Sequence, residues 1–170
     1  MSNLRVRESL ERLHRVFLER PEAAKKPNAS ATATWQNGLR CEVAGPGGEL
    51  VVTDMPHAMG GDGDGPNPGW LLRASMASCT ATAIVMRAAR LGIALRSLNV
   101  SVYSESDARG LTGIEGVSTA LSGMRMSIEI GAENVSDQQL RDLAEIGEAQ
   151  SPVNCTLRER PPLAVEVKLT

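Results

Sequence analysis

The chain has 170 residues and a net charge of −2 with no basic block, which favours one domain and excludes the electrostatic footprint of a nucleic-acid binder. Hydrophobic residues make up 42% and charged residues 22%, the balance of a globular protein. Aromatics are scarce (Phe17, Trp35, Trp70 and Tyr103), so the core must come from Leu, Val, Ile, Met and Ala on closely approaching elements. The longest uncharged stretch that leans apolar, 74–86, falls well short of the roughly 20 residues that span a bilayer.

The first twenty residues, MSNLRVRESLERLHRVFLER, are charged throughout and lack an apolar h-region, and the 3 cysteines form no disulfide framework. Both features predict a cytoplasmic protein with no membrane partner, whose thiols rest reduced. Val6, Leu10, Leu13 and Phe17 follow helical spacing, predicting an amphipathic helix that ends before Pro21. This helix and the linker PEAAKKPN make up a unit over 1–28, with the main domain over 29–170.

ATATW (31–35), LRCEV (39–43) and ELVVTD (49–54) read as short strands joined by Asn37-Gly38 and GPGG into a meander. Cys41 falls in this pattern and reads as filler. The loop MGGDGDGPNP lacks the lysine and Ser/Thr spacing of a phosphate-binding loop and reads as a flexible connector. Asn67-Pro68 supplies an N-cap and first helical residue, and Gly92 a C-cap, bounding a helix over 68–91. LNVSVYSES (98–106) and MRMSIEI (124–130) read as strands separated by a glycine-punctuated excursion. Ser136 with Gln139 forms a capping box, and Leu140, Leu143 and Ile146 mark the buried side of the next helix. Ser151-Pro152 opens a short helical turn, and PLAVEVKL (162–169) is a last strand. The order gives an α+β fold with mostly antiparallel sheet.

Helix 68–91 is nearly free of charge in its middle and rich in Ala and Ser, so it must be buried, by wrapped sheets or by a second copy of the chain. Cys79 shares a stripe with Ser75, Thr82 and Met86 at i−4, i+3 and i+7. On its own it reads as a packed small hydrophobe. Cys155 falls at the fourth position of the helix that begins at Pro152, where unpaired N–H groups and the macrodipole favour an anionic sulfur; it too has a plain packing reading. A metal centre is not expected: there is no paired-cysteine knuckle, and the histidines are His14 and His57 alone.

The strand opening ATATW, the helix NPGWLLRASMASC, the helix VSDQQLRDLAE and SPVNCTL before a terminal strand together resemble the OsmC/Ohr family of osmotically induced and organic hydroperoxide resistance proteins. The resemblance runs from about residue 30 to the C-terminus, with the N-terminal helix as an addition. It implies mostly antiparallel sheets wrapped around long central helices in an intertwined homodimer. It further implies a thiol peroxidase without metal or cofactor, acting on an organic hydroperoxide. Cys79 would be the peroxidatic thiolate and Cys155 the resolving thiol, with an external dithiol as reductant.

Peroxidases of that family carry a glutamate directly after the Asn-Pro pair, which helps hold an arginine beside the reactive thiol; this chain has Gly69 there. Arg40, His57, Asp62 and Asp64 are the groups available to activate Cys79 instead, while Arg73 points elsewhere around the helix. The alternative is a non-catalytic relative that binds a small apolar or electrophilic ligand in the inter-subunit pocket. A third reading makes the cysteines only structural.

Overall fold

The computed structural model describes residues 3–169. Helix α1 spans Asn3–Glu19, and Pro21 stops it by opening a single 3₁₀ turn at Pro21–Ala24. Strands β1 (Thr32–Asn37), β2 (Arg40–Ala44) and β3 (Leu50–Thr53) form the expected antiparallel meander, with Gly38 at φ +50 turning β1 into β2.

Helix α2 spans Pro68–Leu91, with the bounds its caps predict. Asn67 Oδ1 accepts from the Trp70 N–H at 2.9 Å, and Gly92 at φ 71 closes the C-terminus. Strands β4 (Leu95–Glu105) and β5 (Ser122–Ala132) pair antiparallel. Leu98, Val100, Ile128 and Ile130 from that ribbon pack on a core of Ile84, Ala88, Leu143 and Ala144. A short helix, α3 (Ala108–Leu111), forms within the excursion between them, where Asp107 caps the Arg109 N–H.

Helix α4 (Asp137–Ala149) begins on the expected capping box and crosses α2 closely. A Cβ at Gly147 would lie 2.5 Å from Ile84 Cγ1, so only glycine allows this approach. Helix α5 (Pro152–Glu159) follows after a two-residue connection and ends where Arg160 turns left-handed at φ 48.

Two expectations fail. The segment 162–169 forms no strand and joins neither sheet, because alternation marks a face and supplies no neighbouring edge to pair with. Its alternating apolar side chains therefore face solvent, with Leu163 88% and Val165 77% exposed. The loop after β3 is not a free connector. Asp54 is 2% exposed, and its carboxylate accepts from the backbone N–H groups of Met55, Asp62 and Asp64. A glycine-rich sequence can be ordered when its backbone donors converge on one buried acceptor.

Candidate functional site

The stripe of α2 that carries Cys79 opens into a hollow of about 880 Å³. Ser75, Cys79, Thr82 and Met86 line one side of it, as their helical spacing predicts. Leu10, Leu13, His14 and Phe17 of α1 form the opposite wall, and Pro152 and Val153 of α5 close one flank. The volume and the mainly apolar lining match a small-molecule site.

Cys79 is half-buried and free, as is Cys155. Helix α5 is tied to α2 through the residues next to the two cysteines. Asn154 Nδ2, buried, donates to Thr80 Oγ1 at 2.9 Å and to Glu148 Oε1 at 2.9 Å, and Arg158 closes the network on Glu148. Such a satisfied donor inside the fold fixes the position of one helix on another. Cys155 does not line the hollow. Its Sγ donates to the Ala149 carbonyl oxygen at 3.1 Å.

The groups weighed as activators of Cys79 gather elsewhere, in the loop after β3. Arg40 Nη1 binds Asp64 Oδ2 at 2.7 Å, pinning that loop to β2. His57 Nδ1 lies 3.0 Å from the Gly61 carbonyl oxygen, and Asp62 is held through its N–H on Asp54. Burial pushes the Asp54 carboxyl up, but the backbone N–H groups of Met55, Asp64, Asp62 and Gly63 outweigh it and hold the group below the usual carboxylate range. None of Arg40, His57, Asp62 and Asp64 lines the hollow. Arg73 indeed points away, donating to Ser104 Oγ at 3.0 Å.

The cations that do line the hollow are Arg87 and Arg90, with His14 opposite and no aspartate or glutamate among the lining residues. Sequence reasoning missed them, and missed α1 as a wall. The available signal was the match between the apolar face of α1 and the small-residue face of α2. Among the described residues no group of three or more His, Cys, Asp or Glu side chains is placed to hold a metal ion, and no helix is long and apolar enough to cross a membrane.

The protein-family model described as OsmC-like protein matches residues 61–166. No curated protein matches the sequence. Among solved structures, an OsmC-like protein from Mycoplasma pneumoniae is 16% identical with a TM-score of 0.66, over 79% of this chain and 89% of that one. An organic hydroperoxide resistance protein, OsmC, from Legionella pneumophila is 19% identical with a TM-score of 0.57, over 78% of this chain and 92% of that one. An organic hydroperoxide resistance protein from Elizabethkingia anophelis is 22% identical with a TM-score of 0.54, over 78% and 90% of the two chains. At these identities the likeness is one of fold.

Proposed function

Because the chain belongs to the OsmC-like protein family, we propose that it serves oxidative stress defence by reducing organic hydroperoxides through Cys79 and Cys155. The observation that carries this reading is the opening of Cys79 into an apolar hollow, beside a helix that holds the second cysteine one residue from the Asn154–Thr80 bond. The Cys79 thiolate attacks the distal peroxide oxygen, the O–O bond breaks, and the alkoxide leaves as the alcohol after taking a proton. Cys79 is then a sulfenic acid. Cys155 attacks its sulfur, expelling water and forming a disulfide, and an external dithiol returns both thiols. For that second step Cys155 must leave the Ala149 carbonyl, and the two Cα atoms must come within about 7 Å.

The same reading makes the protein a cytoplasmic homodimer. The chain exposes 12660 Å², against roughly 8,000 Å² for a compact monomer of its mass. Sheet β1–β3 makes its main contacts within itself, Trp35 is 68% exposed, and segment 162–169 offers an unpaired apolar edge. A second copy packed on these surfaces would cover part of that surplus, as an obligate interface does.

Treating the purified protein with cumene hydroperoxide and dimedone, then mapping peptides by mass spectrometry, tests the chemistry. The expected result is a Cys79–Cys155 disulfide, and a dimedone adduct on Cys79 once Cys155 is replaced by serine. A spectrum with neither product sinks the mechanism. The hydrogen bond that turns Cys155 toward Ala149, together with Gly69 after Asn-Pro, favours the second reading of a non-catalytic binder. That reading gains if Cys79 stays unmodified while an apolar ligand still binds.

A further inference from the structure

We propose that Asn154 and Thr80 form a latch that holds Cys155 away from Cys79, and that opening it sets the rate at which the two sulfurs join. This inference rests on the pairing of Cys79 with Cys155 proposed above and adds what regulates it.

The direction of the side chains is the first ground. Pro152 and Val153 of α5 line the hollow that Cys79 enters, whereas Cys155 does not. At about 100° per residue, Cys155 lies about 200° around α5 from Val153, on the side away from the hollow. Its Sγ donates instead to the Ala149 carbonyl oxygen. Delivering Cys155 to Cys79 therefore requires α5 to turn about its axis or to unwind its first turn.

Asn154 opposes both movements. It is the one buried residue of α5, 3% exposed, and it donates to Thr80 Oγ1 and to Glu148 Oε1. Thr80, fully buried, directly follows Cys79 on α2. One side chain thus fixes the helix of the second cysteine on the residue beside the first. Glu148, held also by Arg158, sits on α4, so the latch ties α5 to both α2 and α4.

The closed latch is incompletely satisfied. Asn154 Oδ1 and Ser151 Oγ are buried without a hydrogen-bond partner, and they belong to the first turn of α5 and its N-cap. When that turn opens, water satisfies both atoms, which offsets part of the two bonds that Asn154 gives up. A buried amide with every group paired would act as a rivet; one with a dry acceptor can release.

The test drives disulfide formation with saturating diamide instead of a peroxide. The Cys79 thiolate adds to the N=N bond, and the Cys155 thiolate then attacks the Cys79 sulfur. The leaving hydrazine anion takes up protons, so two thiols are oxidised to one disulfide and diamide is reduced to its hydrazine. Peptide mapping of quenched samples gives the rate of the Cys79–Cys155 bond. Alkylation of Cys41, in β2 and outside the network, reports any general loosening. Thr80→Val keeps the shape and deletes the acceptor, and it should speed the disulfide about three- to ten-fold, the scale of one buried hydrogen bond. Thr80→Ser keeps the acceptor and should match the parent protein. Asn154→Ala should be at least as fast as T80V; if it fails to fold, the two Thr80 variants decide. Cys41 should react alike in every folded protein. A disulfide no faster in T80V or folded N154A than in the parent, a T80S as fast as T80V, Cys41 alkylation that rises in step, or no Cys79–Cys155 bond in any protein overturns the proposal. Diamide needs no peroxide chemistry, so a Cys79 inert toward cumene hydroperoxide leaves the latch testable. Equal disulfide rates beside a peroxide-competent Cys79 overturn the latch and leave that reading standing.

Discussion

The two sheets of this chain are opposite cases. The ribbon β4–β5 lies on α2 and closes a core with Ile84 and Leu143, whereas β1–β3 has shorter strands and no such cover among the described residues. Both sheets follow from local alternation and turn residues, which fix strands equally well whether or not a partner layer is present. The difference teaches that a sheet's formation and its burial are separate questions. The first is answered along the sequence, the second by what the fold, or a second copy, brings against it.

Paired deletions on the two sides break or sharpen that contrast. Leu143 is 1% exposed, and Leu143→Ala should cost about 2–5 kcal/mol. Its effect in urea titrations should be a fixed loss, whatever fraction of the protein is associated. Trp35→Ala removes a larger side chain that is exposed within its own chain, so its cost should appear through association: sedimentation should show a weaker dimer. Were Trp35→Ala silent in both stability and sedimentation, the first sheet would be an ordinary solvated face and the dimer reading would lose its main support.

Asp54 offers the next test, at the base of the open sheet. Its folded carboxyl is held below the usual range, so its contribution to stability is complete above the unfolded value near 4 and is lost as pH falls through the folded one. Acid titration followed by tryptophan fluorescence should show the β3 loop loosening below about pH 4. Asp54→Asn should flatten that acid limb and free the loop at neutral pH, since one carboxylate oxygen serves both Asp62 and Asp64. An acid limb unchanged in Asp54→Asn would assign it to other groups.

How much of this was legible depended on range. The bounds of α2 could be read from Asn67, Pro68 and Gly92, and the start of α4 from Ser136 and Gln139, because caps act over three or four residues. The stripe Ser75–Cys79–Thr82–Met86 likewise faces one hollow, since helical geometry alone decides it. What could not be read depends on distant partners. Asp54 orders a loop up to ten residues away through backbone donors that any sequence supplies. The fit of α1 on α2, and with it Arg87 and Arg90 as site residues, requires knowing which amphipathic face meets which. Segment 162–169 has the alternation of a strand but finds no edge, because pattern specifies a face and not a neighbour.

The smallest expected effect separates two serines that look alike in sequence. Each precedes a helix, but Ser136 Oγ accepts from the Gln139 N–H at 3.3 Å while Gln139 Oε1 accepts from the Ser136 N–H at 3.0 Å. Ser136→Ala should therefore cost about 1 kcal/mol. Ser151 makes no side-chain cap, and its hydroxyl is fully buried without a partner, as is Asn154 Oδ1. Deleting a buried, unsatisfied hydroxyl removes a desolvation penalty and little else, so Ser151→Ala should be neutral or slightly stabilising. Thermal melts of the two variants at matched concentration decide it. A loss at Ser151 as large as that at Ser136 would mean that the α4–α5 connection, next to Cys155, is completed from outside the chain, and the contrast drawn between the two sheets would then reach into the helical half as well.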